Sequence, residues 1–215
     1  MTLRNLFRLG LLVVTSATLF AQDGGNANAG KKRVVILGDS ITAGYGLDPE
    51  EAYPALLQKK IDAAALPFEI KNAGLSGDTT AGGLRRIDWA LGTDGADVLV
   101  VALGGNDGLR GISPEQMSKN LVGIIDKARA KNPSVKVIIA GMRMPANFGA
   151  AFTSDFKAVF PQVAREKKTL LVDFLLAGVG GDPSLNQTDR IHPTAKGQQI
   201  VAETVWKVLK GQLVD

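Results

Sequence analysis

The chain has 215 residues, 45% of them apolar and 21% charged, and its length suits one domain with a sizeable core. With no cysteine and a single histidine, thiolate catalysis, disulfide stapling and zinc sites built from Cys or several His are excluded, while carboxylate-bound metals stay open. Lys and Arg number 25 against 21 Asp and Glu, and the surplus is spread out apart from Lys31-Lys32-Arg33, with no basic stripe or interleaved aromatics, so no nucleic-acid partner is expected.

Arg4 and Arg8 lead into Leu9 to Phe20, a run that is apolar apart from Gly and hydroxyl residues and ends in Ala21-Gln22-Asp23. About a dozen residues is short of the ~20 needed to span a bilayer, so residues 1–21 read as a secretory signal cleaved after Ala21. Its removal leaves 23 basic residues against 21 acidic, a mature chain expected to be periplasmic or secreted with no stable membrane span. Gln22 to Gly30 is rich in Gly, Asn and Ala, and residues 22–32 read as a flexible leader to a single domain over residues 33–212.

From there strand and helix patterns alternate. Val34 to Leu37 is a continuous apolar run, followed by a helical pattern from Tyr53 to Ala65 with Pro54 at its start. A strand near Glu69–Asn72 precedes a helix near Thr79–Leu91, and a strand over Asp97–Leu103 precedes a helix over Pro114–Lys131. The strand Val135–Ala140 precedes a helix near Ser154–Lys167, and the strand Thr169–Asp173 precedes the helix Thr194–Leu209. Ser113-Pro114-Glu115-Gln116 has the form of a capping box. Met117, Leu121, Ile124, Ile125 and Ala128 then recur at helical spacing as core, as do Ile200, Val201, Val205, Val208 and Leu209. Tyr53, Trp89 and Trp206 lie on predicted helices and read as packing residues. Five short strands, each followed by a helix, predict an α/β fold with a parallel sheet covered on both faces.

In such sheets ligands bind beyond the carboxyl ends of the strands. Gly38-Asp39-Ser40 follows the first strand, Gly74-Leu75-Ser76-Gly77-Asp78-Thr79 the second, Gly104-Gly105-Asn106-Asp107-Gly108 the third, and Asp189-Arg190-Ile191-His192-Pro193 closes the long loop after the fifth. Asp189 stands three residues before the sole histidine, a spacing that in a tight turn lets the carboxylate take the Nδ1 hydrogen and leave Nε2 of His192 as a base. Pro193 stiffens the exit and Thr194 caps the helix that follows. Ser40, at a strand-to-helix turn, is the candidate nucleophile. Its own backbone N–H, that of Gly77 and the side-chain amide of Asn106 are the candidate oxyanion donors. Asp39 and Asp107 flank these residues; either is an alternative orienter of the imidazole, but their positions also suit structural carboxylates holding the Ser40 turn or the Asn106 loop.

Gly38-Asp39-Ser40, Gly77 within Ser76-Gly77-Asp78-Thr79, Gly105-Asn106-Asp107 and Asp189-x-x-His192 resemble the four sequence blocks of the SGNH (GDSL) hydrolases, in order, over about residues 33–210. Leu103 to Gly111 and Met144 to Gly149 are similar to the exported bacterial thioesterase, lysophospholipase and arylesterase branch. The resemblance implies a flavodoxin-like three-layer α/β/α sandwich with a five-stranded parallel sheet. It implies hydrolysis of carboxylic esters and thioesters, with Ser40 as nucleophile, His192 as base, Asp189 as its orienter and an oxyanion hole of Ser40, Gly77 and Asn106. It further implies a mobile loop over an acyl groove, bringing Gly108, Leu109, Arg110 and Ile112 to the substrate, with Pro145 and Phe148 facing them. The expected partner is a small-molecule or lipid acyl ester or thioester, taken by a monomer with no metal or organic cofactor.

The competing readings differ in kind. A nucleotide-binding protein lacks support, because neither G-x-G-x-x-G after the first strand nor G-x-x-x-x-G-K-[ST] is present. A non-catalytic binding module would not need both Ser40 and His192. A carbohydrate O-acetyl esterase would carry the same four blocks and differ in acyl-chain length preference.

Overall fold

Val34, Val35, Ile36 and Leu37 are all fully buried, an unbroken apolar run that suits only a strand covered on both faces. In the computed structural model, which describes residues 30–213, they form the centre of β1 (Lys32–Gly38). The sheet is completed by β2 (Phe68–Gly74), β3 (Val98–Ala102), β4 (Lys136–Ala140) and β5 (Leu170–Val172), all parallel, in the order β2-β1-β3-β4-β5. The register pairs Gly38 of β1 with Gly74 of β2 on one side and Ala102 of β3 on the other, so the loops after these strands open at one level.

The helices are α1 (Ser40–Ala43), α2 (Tyr53–Ala63), α3 (Thr80–Leu91), α4 (Gly105–Leu109), α5 (Pro114–Lys131), α6 (Ala150–Glu166) and α7 (Ala195–Leu209). Helices α3, α5 and α6 pack side by side, and α2 packs on α7, which gives the three-layer α/β/α sandwich with a five-stranded parallel sheet. The core is continuous across the layers: Met117, Leu121, Ile124 and Ile125 of α5 and Val201, Val205 and Leu209 of α7 are fully buried. No helix among the described residues is long and apolar enough to cross a membrane. The predicted signal segment and most of the leader lie outside the described residues.

Several details depart from the sequence-based expectation. Trp89 is 69% exposed and packs against no core; Lys71 Nζ lies 5.2 Å from its ring centroid instead. Tyr53, by contrast, is the packing residue expected, fully buried with its hydroxyl 2.8 Å from Thr42 Oγ1. Only half of the capping box forms: Ser113 Oγ accepts from Gln116 N–H, but the Gln116 side chain donates forward to Asn120 Oδ1. Helix α6 begins at Ala150, four residues before the predicted start, because Gly149, at φ 89°, supplies the backbone entry. The short helices α1 and α4 were not expected, and Leu109 lies in α4 where a loop was predicted.

Candidate active site

The strand order reverses direction between β1 and β3, the switch point at which a doubly wound sheet leaves a crevice. Ser40 follows β1 and Asn106 follows β3, so both stand at that crevice. Asp39 is the N-cap of α1, its Oδ1 accepting from Ile41 N–H, and Ser40 is the first helical residue. Its backbone N–H therefore has no intrahelical acceptor and points outward from the helix start. Gly74 lets α1 sit this close to β2: a Cβ there would lie 2.3 Å from Ala43 N.

The long loop after β5 returns to the same crevice. Asp189 Oδ1 accepts from the N–H groups of Ile191 and His192, which folds Asp189–His192 into a tight turn. Asp189 Oδ2 lies 2.7 Å from His192 Nδ1, and His192 Nε2 lies 2.9 Å from Ser40 Oγ. These bonds, the His192 side chain first, hold the Asp189 carboxyl down at about 2, so it is ionised and can only accept. Nδ1 then carries the hydrogen, and Nε2 is left as the acceptor for the Ser40 hydroxyl. The Tyr45 ring packs over the imidazole at 4.5 Å between centroids. Beyond Pro193, Thr194 Oγ1 accepts from Gly197 N–H and caps α7.

Of the residues expected to supply oxyanion donors, Ser40 and Asn106 line the cavity beside His192, and Gly77 stands in the turn after β2 and does not line it. Gly77 has φ 79°, a conformation that glycine enters without steric cost, and its N–H donates to no acceptor among the described residues. Asn106 Nδ2 donates to Asp78 O at 2.9 Å, which fixes the amide plane, and makes a longer contact of 3.5 Å to Asp39 Oδ2. Asp107, fully buried, accepts from Thr80 N–H at 2.8 Å and Thr80 Oγ1 at 2.5 Å, tying α4 to the start of α3. Burial pushes the Asp39 carboxyl up to about 6, against the pull of the Ile41 N–H and of His192.

A cavity of about 400 Å³ opens beside Ser40, Asn106 and His192. Of the residues expected at the substrate, Leu109 and Pro145 stand on its wall, whereas Gly108, Arg110, Ile112 and Phe148 do not line it. Gly108 is buried, packed so closely that a Cβ there would lie 2.3 Å from Met144 Sδ. Arg110 Nη2 donates to Gly77 O at 2.9 Å, and Phe148 stacks on Phe152 at 6.3 Å. The apolar wall comes from residues that the sequence did not single out: Met142, Met144, Phe174 and Leu176. Arg86 was missed as well. It is mostly buried on α3, and its guanidinium bonds Asp78 Oδ2 at 2.6 Å, Ala73 O at 2.8 Å and Gly38 O at 2.9 Å. An arginine following Gly77 by nine residues carries no sequence signal for this. Among the described residues no group of three or more acidic or histidine side chains could hold a metal ion.

Residues 36–200 match the GDSL-like lipase/acylhydrolase family. The chain is 41% identical over 182 residues to esterase TesA of Pseudomonas aeruginosa, covering 85% of this chain and 90% of that one. It is 36% identical over 177 residues to thioesterase 1/protease 1/lysophospholipase L1 of Escherichia coli, covering 82% of this chain and 83% of that one. The crystal structure of TesA superposes with a TM-score of 0.81 at 41% identity, covering 84% of this chain and 99% of that one. A family match over most of the sheet, with relatives that share both sequence and fold, leads to one conclusion: the chain belongs to the GDSL-like lipase/acylhydrolase family.

Proposed function

We propose that the protein is a serine hydrolase of carboxylic esters and thioesters, acting through an acyl-enzyme on Ser40. The observation that carries this reading is the hydrogen-bonded chain Ser40–His192–Asp189 at the mouth of an apolar cavity. Ser40 Oγ attacks the substrate carbonyl while His192 Nε2 takes its proton. Asp189 holds the imidazole and favours the imidazolium. The N–H groups of Ser40 and Gly77 and the Asn106 amide hold the oxyanion. His192 then gives its proton to the leaving group, and a water repeats the sequence to release the acid. None of these steps needs a metal or an organic cofactor. Names of relatives, esterase, thioesterase and lysophospholipase, support the ester and thioester class. The Met142, Met144, Phe174 and Leu176 wall favours a medium or long acyl chain over an acetyl group.

Two further readings belong with this one. Residues 1–21 are an export signal and 22–32 a leader, on the strength of the Arg4/Arg8 flank and the short apolar run. We infer too that the mature enzyme is periplasmic or secreted, supported by the export signal, and a monomer, a reading compatible with Ser40, His192 and Asp189 all coming from one chain.

Turnover of 4-nitrophenyl esters from acetate to palmitate by the mature chain, beside Ser40→Ala and Asn106→Ala, tests the proposal. Wild type should favour medium or long chains, Ser40→Ala should lose turnover by at least ~10⁴-fold, and Asn106→Ala should lose ~10²–10³ in kcat. Full activity in Ser40→Ala overturns the nucleophile assignment. Turnover of acetate alone moves the substrate to a short acyl group.

A further inference from the structure

Among the described residues, the non-glycine residues with left-handed backbone are Ala65, Lys168 and Arg190. Ala65 and Lys168 stand just past the ends of α2 and α6, where a left-handed residue is an ordinary way to stop a helix. Arg190 is not at a helix end. Its φ of 60° is imposed by the turn in which Asp189 collects the N–H groups of Ile191 and His192, and its own N–H donates to Gln187 O. A glycine would occupy this position without the steric cost that an arginine carries. The chain instead puts there a long cation on the cavity wall.

The Arg190 side chain is exposed and has no hydrogen-bond or ion-pair partner among the described residues. The other cation on the wall, Arg143, is engaged: it bonds Asp173 at 2.5 Å and lies over the Phe174 ring. The carboxylates nearby do not compete for Arg190. Both oxygens of Asp189 are taken by the turn and by His192, and Asp39 is buried. Arg190 is thus an uncommitted guanidinium two residues from the group that must hand a proton to the departing alcohol or thiol. Arg190 and His192 line the same cavity, so the leaving group that takes the His192 proton departs along a wall that carries this guanidinium.

We propose that Arg190 is a specificity-determining residue that binds a phosphate carried by the leaving group of the ester or thioester. The planar guanidinium fork matches phosphate oxygens in a bidentate way that a neutral leaving group cannot use. The assignment rests on the hydrolase reading above. Two kinds of leaving group share the chemistry, a phosphorylated thiol and a glycerophosphodiester.

The test compares matched pairs that differ in the phosphate: octanoyl-CoA against the octanoyl thioester of N-acetylcysteamine, and octanoyl lysophosphatidylglycerol, below its micelle concentration, against mono-octanoylglycerol. Arg190→Gly removes the cation and relaxes the backbone, so its thermal midpoint should stay at or above that of wild type. In that variant the ratio of kcat/KM for the phosphate-bearing member over its neutral partner should fall about tenfold, chiefly through KM, and Arg190→Lys should recover much of it. A fall in one pair only supports the proposal and identifies the source of the phosphate. Equal change in both members of both pairs overturns it while leaving the hydrolase reading intact. Absence of Ser40-dependent turnover of the neutral members by wild type overturns the hydrolase reading itself, and this assignment with it.

Discussion

Asp39 sits where a carboxylate is costly to keep charged. It is 3% exposed, and burial raises it from 3.8 to about 6. Between those values the folded protein binds a proton that the unfolded chain does not, so this group favours folding in acid and that contribution is lost as pH rises through about 6. Asp39→Asn keeps the acceptor for Ile41 N–H and removes the titration. The stability of this variant relative to wild type should therefore climb between pH 4 and pH 7, by something on the order of 3 kcal/mol, and level off above. The lost Asn106 contact adds only a pH-independent offset, so the slope is the readout; a flat difference across that range would show that burial does not control the carboxyl. At this scale the sequence was most legible in the residues spaced by local turns. Asp189 and His192 meet through three positions of one turn, a distance that the chain itself enforces. Tyr45, Arg86 and the methionine wall reach the site only through the packing of other elements, so nothing in their neighbouring sequence announces them.

The long helices could be read because their apolar residues recur at 3.6 spacing over many turns, and their ends carry recognisable caps. Thr194 is such a cap, with Oγ1 accepting from Gly197 N–H and also donating to Leu185 O. Thr194→Ala should cost about 1 kcal/mol of stability in urea unfolding at an unchanged m-value. An unaltered midpoint would mean that α7 does not depend on its cap. Helices α1 and α4 escaped the sequence for the opposite reason. Ser40–Ala43 and Gly105–Leu109 are too short to show a period, and the glycines of α4 disfavour helix. They exist because Asp39 caps one and Asp107 anchors the other to Thr80, interactions with partners up to 27 residues away.

Across the whole molecule, the site depends on strands that are remote in sequence ending together. Arg86 acts at that level: one guanidinium ties the carbonyl ends of β1 and β2 to the Gly77–Asp78 turn. Its ion pair with Asp78 is mostly shielded, the side chains being 15% and 8% exposed. Arg86→Met leaves Asp78 as an unpaired buried carboxylate and should cost about 3 kcal/mol or more. Because Asn106 is oriented by Asp78 O, kcat should fall with little change in KM, and Arg86→Lys should recover stability better than turnover. A variant with wild-type kcat would remove Arg86 from any positioning role.

The alternating pattern of five strands and their helices, the four strand-end blocks and the Asp189/His192 turn were determined by the sequence alone, because each is written in local periodicity or local spacing. Tertiary structure decided the rest: the order β2-β1-β3-β4-β5 that opens the crevice between β1 and β3, the 2.9 Å approach of His192 to Ser40 across 152 positions, and the residues that wall the cavity. Those contacts are set by how layers pack. Packing joins side chains whose separation along the chain carries no period to read.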